Sequence, residues 1–546
     1  MPIDTENQSV TFTPTDSVNY SSVPVLVNVV VTEPFRQGSW VNLADDGRLL
    51  YKRDNLGNRI PDFTACGYKA GKEGIPYVPT RVVVIPGDGD DRARIQAAID
   101  RVAAMTPDAN GFRGAVLLTA GEYQVSSPLL ISTSGIVLRG VGESETVGTR
   151  LKSTDRSGVY NSNQTILLQI QGSGSATGTG TAQAITSPYV PAGSSSFEVA
   201  SVSGFSVGSE VEVYRPCTTN WITAIGMDQL SPIEDRWKEG MRDLYWHRTI
   251  QRIEGNRIFL DAPITTAIDQ TYGGGTVRNY AFAGRIEKCG VEDIRGLSSY
   301  DETKRDLANN YIDEAHAWTF IQIGAAQNCW VRRVTSRYFA YSCVSVMQGA
   351  KWVSVLNCQS LDPVSVVDGG RRYAFNLDDC ELCLVKDCTN DSDRHQFVTH
   401  SNTSGPNAFV NGTSTRAFTE CGPHHEWANG ILWDRIAVSG TGSTFAIRNR
   451  GNAGSGHGWA AANSLAWNCA APEFDVENPP TARNWMIGCV GTIDTYNSAA
   501  VPPNPDFGTY DSNGASVFPV SLLGRQRQDT LGTPGLQIRE YVVGDF

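Results

Sequence analysis

Five of the seven histidines, His395, His400, His424, His425 and His457, crowd into one stretch of a 546-residue chain. Imidazole has an unperturbed pKa near 6.5 and exchanges protons at neutral pH, so such a group points to acid–base chemistry. The segments 393–397, 422–427 and 456–459 recur at intervals of about 30 residues, within the range of repeat architectures. Arginines accompany them: Arg371, Arg372 and Tyr373 lie one interval earlier, Arg394 inside the first segment, and Arg448 and Arg450 beside the last. Guanidinium forks bind carboxylates in bidentate fashion, and a neutralised uronate has a more acidic C5 proton. Cleavage by β-elimination then needs a base for that proton and an acid for the leaving oxygen. This chemistry assigns His425 or His424 as base, His395 as partner acid or orienting group, and Arg394 with Arg372 as carboxylate binders. Tyr373, His400, Trp427, Arg448 and Arg450 are the expected further contacts to substrate. Strand neighbours face opposite ways, so the choice between His424 and His425 stays open.

Three rivals compete for the same residues. Histidines of this kind can simply cap turns or bridge coils. A His-His-Glu run suggests zinc, but metalloprotease motifs need histidines at i and i+4 on a helix, and Gly422-Pro423 opens a turn. A glycoside hydrolase needs two carboxylates about 5 to 9.5 Å apart. Asp378 and Asp379 cannot form that pair together, because consecutive strand residues diverge, which leaves Asp379, Asp393, Glu420 or Glu426 on neighbouring coils. No cofactor is required, no metal ligand is assigned, and calcium stays open with no ligand set identified.

Repetition supplies the scaffold. Cys329, Cys358, Cys388 and Cys421 recur at about 30 residues, Asn328 and Asn357 precede the first two, and Asn468-Cys469 repeats the pair. The bursts 289–294, 329–334, 352–358, 382–388, 431–436 and 485–489 alternate like strands and end in turn residues. Short β-rich repeats without long amphipathic helices predict a β-solenoid, with cysteine and asparagine in inward ladders. In the burst at 382–388, Val385 is expected to face in and Lys386 out. Upstream, Ile95, Ile99 and Val102 fall at helical spacing behind Asp91, predicting a short helix that caps an open sheet end.

The order of Ile95 to Ile99, then Gly114 to Tyr123, then Ile136 to Gly142 resembles the opening of pectate-lyase-like right-handed parallel β-helix proteins. The resemblance covers residues 88–142 by motif and extends to about Val490 by pattern. It implies an all-β, single-stranded right-handed parallel β-helix with an N-terminal capping helix. Polysaccharide lyases, glycoside hydrolases and phage tailspikes share that fold, so the resemblance carries a carbohydrate bias rather than a reaction. The chain departs from pectate lyases in lacking an evident calcium-binding aspartate cluster and a groove lysine. The expected layout is an N-terminal wrap at 1–85, capping helix and first coils at 86–186, an inserted β module at 187–284, main coils at 285–495, and a C-terminal cap at 496–546. The insert carries Trp221, Trp237, Trp246 and His247, which suit one wall of a sugar groove, and any one of the tryptophans serves equally as a local core for the insert.

Composition narrows the partners. The chain has 45 basic and 57 acidic residues, a net charge of -12 and no basic run, which disfavours nucleic acid. The longest apolar candidate, Val25 to Val31, is interrupted by Asn28 and falls short of the 18 or so residues of a membrane span. The expected partner is an anionic polysaccharide or oligosaccharide, with the oligomeric state open. The given sequence carries no signal peptide, and such a substrate predicts an extracellular or periplasmic mature chain.

Overall fold

The computed structural model describes residues 4–12, 23–31, 36–44, 47–440, 442–494 and 506–531. Parts of the N-terminal wrap, and residues 501–505 of the proline-rich stretch near the C-terminus, lie outside the described residues.

The main body is a parallel β-helix in which each coil contributes three strands. One coil runs through Ser342–Val346, Ser354–Leu356 and Gln359–Leu361, and the next through Tyr373–Leu377, Leu384–Lys386 and Thr389–Asp391. Each strand pairs in parallel with its counterpart below. Val344, Phe375 and Phe397 stack in register on one face, and Val355, Val385 and Phe409 on the second. Ser360, Asn390 and Ser414 do so on the third. Coil length varies around the expected thirty: Cys289 bonds Cys329 across 40 residues, Cys383 bonds Asn407 across 24, and Cys469 bonds Cys489 across 20.

All twelve cysteines are buried and unbridged, as small apolar core residues are. The asparagines before them do something else. Asn328, Asn357 and Asn468 adopt φ of 51°, 53° and 50°, and Asp387 and Asn411 take the same left-handed corner on other coils. Asparagine tolerates that conformation better than most side chains, so its recurrence marks a backbone corner and not the expected inward ladder. Val385 packs in the core, whereas Lys386 points outward beside Asp387.

The face that positions the histidines departs from simple alternation. Leu167 with Leu168, Phe320 with Ile321, Cys343 with Val344, and Ala374 with Phe375 are consecutive pairs that both enter the core. Each coil therefore turns two neighbours inward, and the residue before the pair lies outside. On successive coils that residue is Thr319, Ser342, Tyr373 and His395.

Helix Arg92–Ala103 buries Ile95, Ala98, Ile99 and Val102 against the first coils, as expected. The segment around Ile60 to Cys66 and helix Leu522–Leu531 cover an outward apolar stripe that includes Leu384, Ala408, Leu432, Leu465 and Trp485. Between Thr177 and Ala281 lies a separate antiparallel module, which among the described residues has a six-stranded sheet and a further two-stranded pair. Its core holds Trp221, Trp237 and Trp246 and continues into Trp427 and Trp459 of the coils, so module and coils share one apolar interface.

Candidate active site

The winding brings the chain-distant imidazoles together. Thr399 pairs with Pro423, so His400 and His424 follow the ends of adjacent strands, and the Glu426 N–H donates to the His457 carbonyl on the next coil. Ring centroids lie 4.5 Å apart for His395 and His424, 4.8 Å for His424 and His457, 4.9 Å for His400 and His425, and 5.1 Å for His424 and His425. Tyr373 completes the group, with its ring 4.8 Å from His395 and 5.3 Å from His424.

His424 and His425 are not equivalent. His424 is 7% exposed and has both ring nitrogens engaged. Arg450 Nη1 donates to Nδ1 at 2.6 Å and to the His424 carbonyl at 2.7 Å. A guanidinium only donates, so Nδ1 carries the lone pair and Nε2–H donates to the Tyr373 hydroxyl at 3.0 Å. Arg394 Nη1 donates to the same hydroxyl at 3.3 Å. His425 keeps 19% of its side chain exposed. Ser401 Oγ donates to the Glu426 carboxylate at 2.6 Å and accepts from His425 Nδ1 at 2.7 Å. That relay makes Nδ1 the donor and leaves Nε2 as the ring nitrogen of His425 available to substrate. Arg242 of the inserted module reaches Glu426 at 2.5 Å, so the module braces the relay from outside. Ser401 and Arg242 escaped the sequence reading. Ser401 adjoins His400, whereas nothing in the sequence marks Arg242.

Electrostatics keeps most of the imidazoles neutral. Burial pushes His395 and His457 down to about 3, against the opposing pull of Glu420 on His395, and burial with the neighbouring imidazoles holds His400 and His424 well below the ordinary range. His395 Nδ1 donates to the Glu420 carbonyl at 2.8 Å, and its Nε2 is buried without a hydrogen-bond partner. With Nδ1–H spent on the Glu420 carbonyl and the ring held neutral, this arrangement favours the orienting half of the role expected for His395 over the acid half. Burial pushes the Glu420 carboxyl up, but His395, Arg450 and Arg448 outweigh it and hold it at about 2.

His395, Glu420 and His424 offer donor atoms within 4.8 Å of one another, a spacing that could hold a metal ion. Arg450 competes for the same atoms. Its guanidinium bonds Glu420 at 2.6 Å as well as His424, which makes the set an ion-paired hydrogen-bond network.

Other expected contacts lie elsewhere. Arg372 is 3% exposed and spends its N–H groups on Ser365 and the Ser392 carbonyl, so it cannot bind a substrate carboxylate. Arg371 pairs with Glu314 at 2.7 Å. Trp246 and Trp427 are fully buried, as is Trp221, because they form the module–coil interface and not a sugar platform. Asp393 is buried beside Ser360 and Arg372, away from the imidazoles. Arg448 stays near the group and pairs with Asp475 at 3.0 Å. Asp378 and Asp379 come after the strand, which ends at Leu377, and Asp379 has φ 47°, so strand divergence does not separate them. Burial, then Glu426, raises the Asp378 carboxyl to about 6 against the pull of His425. The solvent-touching Asp379 is raised to about 7 by its enclosing walls and then by Asp378.

Between module and coils is a cavity of about 490 Å³ that His247 and Asp379 help to line. His247 bridges Glu381 of the coils at 2.8 Å and Glu212 of the module at 3.5 Å.

No family model matches the chain, and no curated protein matches it. Among solved structures, the chain is similar to the tailspike protein gp49 from Pseudomonas phage LKA1, at 12% identity and a TM-score of 0.38, over 77% of this chain and 70% of that one. It is also similar to PfbA, a surface adhesin of Streptococcus pneumoniae, at 11% identity and a TM-score of 0.35, over 77% and 80% of the two chains. Endo-xylogalacturonan hydrolase from Aspergillus tubingensis aligns at 10% identity and a TM-score of 0.39, over 80% and 92%. The register of its own coils identifies this chain as a parallel β-helix protein.

Proposed function

We propose that the protein is a carbohydrate-active enzyme that cleaves a uronate-containing glycan by β-elimination. The observation that carries this reading is the His425 imidazole, whose Nδ1 donates to Ser401 so that Nε2 is left for substrate, set 5.1 Å from the ring of His424, whose Nδ1 is clamped to the Arg450 guanidinium. Arg394, which reaches the Tyr373 hydroxyl at 3.3 Å, binds and neutralises the uronate carboxylate, which acidifies the C5 proton, while Arg450 holds His424 and Glu420 in place. His425 Nε2 takes that proton. The released electron pair forms the C4–C5 double bond as the C4–O bond breaks, and the leaving oxygen takes a proton from Asp378, held near 6 and so partly protonated at neutral pH. Guanidiniums do here what a cation would do elsewhere, and no metal is needed in this scheme.

A hydrolytic reading has one observation in its favour. Asp378 and Asp379 are neighbouring carboxyls raised to about 6 and about 7, and such groups serve as general acids. Incubation with a panel of polyuronides separates the two. Ultraviolet absorbance of an unsaturated uronate rising with the reducing ends supports elimination, and reducing ends without it support hydrolysis. Tight binding with neither product would reduce the protein to a glycan-binding role.

A further inference from the structure

The cavity between the inserted module and the coils has a volume of about 490 Å³, within the range of small-molecule sites. It adjoins the imidazole group through Asp379, whose neighbour Asp378 is in electrostatic contact with His425. Its walls are polar and built. The amides of Gln322 and Gln348 enter from successive coils, and Tyr245 and Phe282 supply aromatic surface from the module side.

Charge inside and behind these walls runs against the acidity of the chain. Glu381 is gripped by His247 at 2.8 Å and by Arg248 at 2.7 Å, and Glu212 by Arg278 at 2.6 Å. The two carboxylates are thus already matched by three cations. Buried Lys351 adds another beside Glu381, its Nζ donating to the His247 carbonyl at 2.9 Å. Arg285 stands beside this set, with Asp379 on the same lining: its guanidinium lies over the Phe282 ring at 4.2 Å, and its buried Nε has no hydrogen-bond partner. A guanidinium laid on an aromatic face at the wall of a polar cavity is positioned to fork a carboxylate.

We infer that this cavity is a subsite for a second carboxylate-bearing sugar of the same chain, held by Arg285 with the glutamine amides on its hydroxyls. The inference rests on the uronate reading of the neighbouring site and extends it: the substrate carries acidic residues on both sides of the cleaved bond or beyond it, and the module supplies the recognition.

Titration calorimetry with oligouronides of increasing length, and with neutral and sulfated oligosaccharides of matched length, tests it on the full chain. The variants are Arg285→Ala, Arg285→Lys and the cavity-filling Gln348→Trp, each checked for an unchanged melting midpoint. Loss of one charged hydrogen bond predicts that Arg285→Ala weakens long oligouronides roughly ten- to a hundredfold, with partial recovery in Arg285→Lys. Gln348→Trp should abolish the gain with length, while cleavage of the shortest substrate keeps its rate in every variant. Wild-type affinity for long oligouronides in both Arg285→Ala and Gln348→Trp, with cleavage intact, overturns the subsite alone. Preference for sulfated over uronate chains overturns the carboxylate assignment. Failure of the wild type to bind or cleave any acidic oligosaccharide overturns the uronate reading and the subsite with it.

Discussion

Adjacent histidines with opposite environments permit a sharp comparison. His424→Ala removes the acceptor for an Arg450 N–H and the donor to the Tyr373 hydroxyl, both at a site where His424 is 7% exposed. Arg450 keeps the His424 carbonyl and Glu420, and the Tyr373 hydroxyl keeps Arg394, so the cost is that of two lost hydrogen bonds and the vacated ring volume, about 2–4 kcal/mol. His425→Ala removes one hydrogen bond to Ser401 from a side chain that is 19% exposed, and the serine hydroxyl can turn to water. Its stability cost is about 1 kcal/mol. The catalytic effects should run the other way, because loss of a general base typically costs about 10²–10⁴ in rate. Unfolding half-lives in denaturant measure the first quantity, which suits a large β protein whose unfolding is slow to reverse. Initial rates of unsaturated product measure the second. A His425→Ala protein that keeps more than about a tenth of wild-type turnover, or a His424→Ala protein as long-lived as wild type, would refute the division of labour.

The pH response carries a second prediction. His395 falls from 6.5 to about 3 on folding, so below pH 6.5 the unfolded chain takes up a proton that the folded protein refuses. Its stabilisation is complete above pH 6.5 and is lost as pH falls toward 3. His395→Gln should therefore gain on wild type by about 1.4 kcal/mol per pH unit over that window, read from denaturant midpoints at pH 7.5 and 5. Trp427 is fully buried, with its ring 4.6 Å from Trp221 and 6.5 Å from Trp237. Trp427→Ala should cost about 3–5 kcal/mol at the module–coil interface, and limited proteolysis should then cut first between Thr177 and Ala281 while the coils stay intact. Because all twelve cysteines are buried and unbridged, a thiol reagent should titrate none in the native protein and twelve in denaturant. Disulfides found by mass spectrometry would contradict this.

Much of the scaffold was legible because its signals are local. Ile95, Ile99 and Val102 share a helical face whatever lies beyond them, and a small apolar cysteine once per coil reads as core. The asparagines misled because the same recurrence serves two physical needs. An inward hydrogen-bonding ladder and a left-handed corner both repeat once per coil, and only backbone angles tell them apart. The convergence of the histidines followed from coil spacing, but their facing did not. A rule of strict alternation fails where Ala374 and Phe375 both turn inward, and His424 and His425 follow a strand of only two residues, Gly422–Pro423. The tryptophans of the module were misplaced for a different reason. Their burial depends on Trp427 and Trp459, which come from far along the chain, and no local pattern encodes that contact.

That same long-range contact explains how the base is held. A β-helix fixes its strands firmly and its turns less so, yet His425 stands on a turn. Its orientation depends on Ser401 one coil away, on Glu426 beside it, and on Arg242, which the inserted module carries in at 2.5 Å from Glu426. The module is itself seated by Trp221 and Trp237 packing on Trp427, the residue directly after Glu426. Apolar burial and the ionic clamp thus converge on consecutive residues, one supplying the affinity between module and coils and the other its registration. A chain with the coils alone would retain the five imidazoles, but it would lose the Arg242 guanidinium that pairs with Glu426 and adds to the pull of His425 on its carboxyl. The insertion belongs to the chemistry of the site as much as to its walls.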